Sequence, residues 1–283
     1  MERMGRVGTW PLAGLAPRRR LLVAGVLLLV VAVAAALTVR ACAGRAGTPP
    51  GYPDQSRPGP VLLVPGYGDS QAALSVLAAR IRTTGRPATV LRLPGDGTGD
   101  LAAQAATLDG AVTAQLGRGA PSVDVVGYSA GGVVALLWVT RYGGEHSARR
   151  VVTLGSPLHG AQLAATGSAL VPDACPAACQ QLAPGSSLLR ELDGTPLPAR
   201  LPWLSIWTAD DQTVRPPDSA RLDGAVNVPV QNVCPDAHVQ HGQLPTDQLV
   251  TGLVLRGIGT AAPTLPGPAD CAPLRSAGAA AAG

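Results

Sequence analysis

Between residues 58 and 260, short unbroken apolar runs alternate with longer stretches whose apolar positions return every third or fourth residue. The runs 61–64, 89–93, 122–126, 150–154, 202–208 and 225–230 are Val-, Leu- and Ile-rich and lack polar alternation over most of their length, the mark of strands buried on both faces. In 70–83, Leu74, Leu77 and Ile81 fall on one helical face. The stretches 100–116, 132–142 and 245–255 read as further helices. This alternation predicts a mainly parallel sheet flanked by helices. The stretch 161–200 is longer than a connection between strands requires, and a small cap over a site is expected there.

The ends differ from this body. Residues 21–39 carry no charge and follow Arg18, Arg19 and Arg20 directly. A helix needs about 20 apolar residues to cross a bilayer, and the greater positive charge lies on the N-terminal side, so the expected orientation is N-in with the body exported. The expected division is a cytoplasmic basic tail (1–20), a transmembrane signal-anchor or signal peptide (21–39), a Pro/Gly-rich linker (40–57), the α/β domain (58–260) and an Ala/Gly/Pro-rich tail (261–283), disordered beyond Cys271. Ala41-Cys42-Ala43 offers a small-x-small cleavage site if the segment is removed.

Composition sharpens this picture in three ways. Hydrophobic residues make up 46% of the chain, enough for a large core, and with no Phe that core must be built from Val, Leu and Ala. The net charge of +4 belongs to the N-terminus: residues 1–45 hold seven Arg against one Glu, which leaves 15 Arg against 17 acids in the rest. A nucleic-acid partner is therefore not expected. Besides Cys42 there are four cysteines, Cys175, Cys179, Cys234 and Cys271, an even number that suggests two disulfides in an exported body. Of the three pairings, proximity favours 175–179 with 234–271. The Cys/His spacing does not suit zinc, and no metal site is expected.

The candidate chemistry centres on Gly127-Tyr128-Ser129-Ala130-Gly131, a G-x-S-x-G with an apolar strand running in and an apolar helix running out. That context fits a nucleophile elbow, with Ser129 exposed on a strained turn. The backbone N–H of Ala130 would supply half of an oxyanion hole, and the Tyr67 N–H, on the turn after the first strand, is the candidate for the other half. An acid should follow a later strand, and Asp210 and Asp211 both do; Asp211 is preferred, with Asp210 the alternative. The base should lie between the last strand and the last helix, where His238 and His241 stand; His241 is preferred because it abuts the helix. His159 precedes the acid and His146 lies in a polar loop, so both are read as structural or surface residues, as is Asp124.

With these residues in hand, the body resembles the small bacterial secreted lipases of the class 2 family, minimal α/β-hydrolases related to triacylglycerol lipases, over about residues 58–257. The likeness is carried by VLLVPGYGD (61–69), VDVVGYSAGG (123–132), VVTLGSPLHGA (151–161), SIWTADDQTVRP (205–216), LDGAVNVPVQ (222–231) and HGQLPTD (241–247). It implies an α/β-hydrolase fold, a Ser129–Asp211–His241 triad and oxyanion donors at Tyr67 and Ala130. Relatives usually read His-Gly where this chain has Pro65-Gly66; that position does not supply the donor itself, so activity is expected to persist with an altered pocket shape.

The expected function is hydrolysis of carboxylic, lipid-like esters through an acyl-enzyme, outside the cytoplasm and without a cofactor. Acyl transfer to an envelope acceptor and a catalytically silent, membrane-tethered binding domain are the alternatives.

Overall fold

The computed structural model describes residues 16–43, 51–68 and 71–282. The chain forms two compact units, Met1–Gly51 and Tyr52–Gly283. In the first, the described residues form one helix, α1 (Pro17–Ala43). Among the described residues no helix is long and apolar enough to cross a membrane. Anchoring through 21–39 is therefore not supported. Residues 1–15 of the expected tail, 44–50 of the expected linker and the Cys42 side chain lie outside the described residues.

The second unit runs β1 (Val61–Val64), α2 (Gln71–Thr83), β2 (Ala88–Val90), α3 (Leu101–Gly117), β3 (Val123–Tyr128), α4 (Ala130–Tyr142) and β4 (Ala148–Leu154). Three helices follow, α5 (Gln162–Leu170), α6 (Ala177–Gln181) and α7 (Ser187–Asp193), where the cap was expected. The chain then continues through β5 (Trp203–Trp207), β6 (Val226–Pro229), α8 (Val230–Val233), α9 (Gln248–Gly257) and α10 (Cys271–Ala280).

The six strands form one sheet in the order β2-β1-β3-β4-β5-β6, and every pair is parallel. Every residue of β1, β3, β4 and β5 is buried, as their unbroken apolar runs require. The pleat divides them between two cores. Leu62, Val64 and Val125 pack with Leu108 and Trp138 on one face, while Val61, Leu63 and Val126 pack with Leu77 and Leu253 on the other. The mainly parallel sheet flanked by helices is that of an α/β-hydrolase fold.

Topology fixes where a site belongs. β1 pairs with β2 on one side and β3 on the other, so the chain leaves β1 and β3 in opposite directions. The crevice at their carboxyl ends is the switch point, where open α/β sheets bind ligands.

The opposite end of the sheet is closed by a buried charge cluster. Asp124 in β3 is fully buried, and its Oδ2 meets Arg149 at 2.5 Å and Arg86 at 2.6 Å. Arg149 also donates to the Gly259 carbonyl at 2.8 Å, and Arg86 to that of Ile258 at 2.8 Å. Arg150 donates to Gly257 at 3.0 Å. These cations satisfy carbonyls at the C-terminal end of α9, which a helix leaves unpaired, and complement its dipole.

The C-terminal tail departs from expectation. Instead of being disordered beyond Cys271, it forms α10, which packs on α9 with Leu274 buried. A Cβ on Gly252 would lie 2.1 Å from the Leu274 carbonyl oxygen, and one on Gly278 would lie 1.8 Å from that of Gln248, so the two helices touch through their backbones. The Cys234–Cys271 disulfide ties the start of α10 to the end of α8. Ala and Gly give little hydrophobic periodicity, yet Ala is the strongest helix former and a small surface permits this close approach.

Removing the Asp124 carboxylate would leave Arg149 buried and Arg86 half-buried without their anion. Asp124→Ala is expected to lower the unfolding free energy by about 3–5 kcal/mol in urea titration, and a loss below about 1 kcal/mol would show that the cluster is not a structural clamp.

Candidate active site

Ser129 leaves β3 and enters α4 at φ 52° and ψ −126°, a conformation that a residue with a side chain seldom adopts. Such strain costs on the order of 1–3 kcal/mol and persists only where the surroundings over-determine it. Here the Ser129 N–H donates to the Leu154 carbonyl at 2.8 Å, and the Ser129 carbonyl accepts from Gly132 N–H at 3.0 Å. The flanking glycines allow strand, turn and helix to meet. A Cβ on Gly131 would lie 2.1 Å from the Val64 carbonyl oxygen, and one on Gly127 would lie 2.6 Å from that of Gly131.

Two later loops meet this elbow. Asp211, 1% exposed, follows β5. Its Oδ1 accepts from the backbone N–H groups of Thr213 at 2.8 Å and Val214 at 2.7 Å. Its Oδ2 lies 2.7 Å from Nδ1 of His241, whose Nε2 is 3.1 Å from Oγ of Ser129. The two backbone donors fix the carboxylate, so its second oxygen is committed to the imidazole. With Nδ1–H donating to Asp211, Nε2 is left to accept the Ser129 proton.

Tyr128 supports the histidine from below. Its hydroxyl donates to the His241 carbonyl at 3.1 Å, and its ring lies 5.2 Å from the imidazole. Burial, reinforced by the negative charge of Asp211, pushes the Tyr128 hydroxyl up to about 12, so it stays neutral. Sequence reasoning passed over Tyr128 because it occupies a variable place within G-x-S-x-G.

The alternatives go elsewhere. Asp210 and His238 face each other at 3.3 Å on the surface, with the His238 side chain 87% exposed. His159 joins Asp193 at the end of α7, at 2.7 Å, to the Arg221 carbonyl, at 3.0 Å. His146 lies against the Tyr52 ring.

Above Ser129 opens an apolar cleft of about 290 Å³. Tyr67 and Pro157 line it with Ser129, Ala164 and Gly167 enter from α5, Cys179 and Leu182 from α6 and its exit, and Val214 from the Asp211 loop. Both expected oxyanion residues thus stand at Ser129: Tyr67 borders the same cleft, and Ala130 is the first residue of α4, where helix amides lack intrahelical partners. On the turn that carries Tyr67, a Cβ on Gly66 would lie 2.8 Å from that of Ser129. The cap residues escaped the sequence reading because α5 carries no distinctive motif.

The cysteines pair as Cys175–Cys179 and Cys234–Cys271. Among the described residues, Cys234, Asp236 and Cys271 are the group that lies close enough to share a metal, but both sulfurs are consumed by the disulfide and neither is a thiolate ligand.

No family model and no curated protein matches this sequence. Solved structures do resemble it. Aspergillus fumigatus lipase B superposes with a TM-score of 0.61 at 18% identity, over 82% of this chain and 64% of that one. Bacillus licheniformis lipase BlEst2 in its mature form gives 0.51 at 22% identity, over 64% of this chain and 86% of that one. The lin2722 product of Listeria innocua gives 0.51 at 15% identity, over 74% and 96%. The chain thus spans less than two thirds of the length of the Aspergillus enzyme, and at these identities the likeness is one of fold.

Because the folded state holds the Tyr128 hydroxyl protonated above its ordinary pKa, the stability this residue contributes is complete below pH 10 and lost as pH rises through about 12. Tyr128→Phe is expected to flatten the alkaline fall in unfolding free energy across that window. An unchanged slope would place the fall on other groups.

Proposed function

We propose that this protein is a carboxylic ester hydrolase acting through Ser129, His241 and Asp211. The observation that carries the reading is the continuous hydrogen-bonded chain from Asp211 through His241 to a strained Ser129 beside an apolar cleft. His241 Nε2 takes the Ser129 proton as Oγ attacks the ester carbonyl, and the Tyr67 and Ala130 N–H groups hold the oxyanion. The proton passes to the leaving alcohol as the carbon–oxygen bond breaks, leaving an acyl-enzyme. Water then attacks, gives its proton to His241, and the acid departs as Ser129 regains that proton. Asp211 orients the imidazole and stabilises its charged form throughout.

The apolar lining suits the acyl part of a lipid-like ester. Its volume stands at the low end of small-molecule sites, roughly 300–1,000 Å³, which favours short or medium acyl chains. The lipases of like fold support ester chemistry, and the ordered set of motifs supports placing the chain near the small secreted class 2 lipases. Two disulfides support an extracytoplasmic setting, where such bonds persist.

The test is hydrolysis of short-chain p-nitrophenyl esters. Ser129→Ala is expected to abolish turnover, and Asp211→Asn to lower kcat by about 10⁴ through loss of the correct imidazole tautomer. Asp210→Asn should leave kcat within about twofold, as for a surface substitution. Turnover that survives in Ser129→Ala, or that falls in Asp210→Asn instead of Asp211→Asn, would contradict the assignment.

A further inference from the structure

The cap contains an unequal pair of helices. α6 is fixed to the body: Ala178 N–H donates to the Thr98 carbonyl at 3.1 Å, and Gln181 accepts from Leu101 N–H at 2.8 Å while donating to Asp100 at 2.6 Å. α5 buries only Ala164, leaving Leu163 and Leu170 67% and 75% exposed. Between them lies the Cys175–Cys179 disulfide, with Cys175 buried, and it closes the segment leaving α5 back onto α6.

The disulfide sits against Gly167, inside α5. A Cβ there would lie 3.2 Å from Sγ of Cys179 and 3.7 Å from Sγ of Cys175. Glycine weakens a helix interior relative to alanine, and this helix keeps one where the sulfurs pass. Gly167 and Cys179 both also border the cleft that holds Ser129.

We propose that Gly167 and the Cys175–Cys179 disulfide determine acyl-chain specificity: together they form the wall that α5 and α6 share, and the space they leave limits the chain accepted. This rests on the ester-hydrolase reading above. A side chain at 167 takes up that space, whereas loss of the disulfide removes its sulfur bridge and frees the segment after α5. The two changes therefore shift chain preference in opposite directions, with the chemistry at Ser129 intact.

The experiment measures kcat/KM of the full chain on p-nitrophenyl esters from acetate to laurate. The variants are Gly167→Ala, Gly167→Val, the pair Cys175→Ala with Cys179→Ala, and that pair combined with Gly167→Val. Gly167→Val is expected to lower kcat/KM for the longest ester the wild type cleaves by about tenfold or more relative to acetate, the discrimination typical of a pocket short of one methylene. Gly167→Ala should give a smaller shift of the same sign. The cysteine pair should raise the ratio of long to short esters, and the combination should restore long-ester turnover to Gly167→Val. Ratios that stay parallel to wild type in all variants, or that move the same way in Gly167→Val and the cysteine pair, overturn this proposal while leaving the hydrolase reading standing. A wild-type chain that cleaves no ester of the series overturns both.

Discussion

The site depends on one constraint, the backbone of Ser129 held at positive φ where β3 becomes α4. Left to itself a serine would relax to an ordinary conformation and turn its hydroxyl away. It cannot do so because β1 and β4 flank β3. The Leu154 carbonyl at the end of β4 takes the Ser129 N–H, and the exit of β1 leaves no room beside Gly131. The sheet core thus sets Ser129, and the segments after β5 and β6 bring Asp211 and His241 to it.

Charge is arranged at the two ends of the sheet in different ways. At the end opposite the site, the Asp124 carboxylate is met by Arg86 and Arg149, and arginines bind the last carbonyls of α9. At the site end, the Asp211 carboxylate receives neutral donors, two backbone N–H groups and the His241 ring. A cation beside Asp211 would compete for the oxygen that faces the imidazole. In the mechanism we propose, these donors hold the carboxylate in place while leaving its charge available to His241 as the ring becomes protonated.

Much of this was legible in the sequence. The strands with unbroken apolar runs lie within a few residues of their expected positions, since burial on both faces leaves little freedom of pattern. The elbow was legible because its glycines and flanking apolar runs form a local signature, and Ser129, Asp211 and His241 meet where chain order suggested. The choice between Asp210 and Asp211 was not decidable from spacing alone. Adjacent residues point apart, and only the fold reveals that Asp211 turns inward while Asp210 pairs with His238 on the surface. The cap helices and α10 were less legible because they are short or rich in Ala and Gly, where periodicity carries little signal. The N-terminal apolar stretch suits a signal-anchor or a signal peptide by sequence, and of the two the described helix does not support the anchor.

In the reading we propose, His241 makes Ser129 a nucleophile. This is tested most directly by treating the protein with an alkyl fluorophosphonate, which forms a stable adduct on activated serines, and mapping the adduct by peptide mass spectrometry. A single adduct on Ser129 is expected in the wild type, and almost none in His241→Ala at the same exposure. An adduct on another serine, or labelling of Ser129 at the same rate without His241, would contradict it.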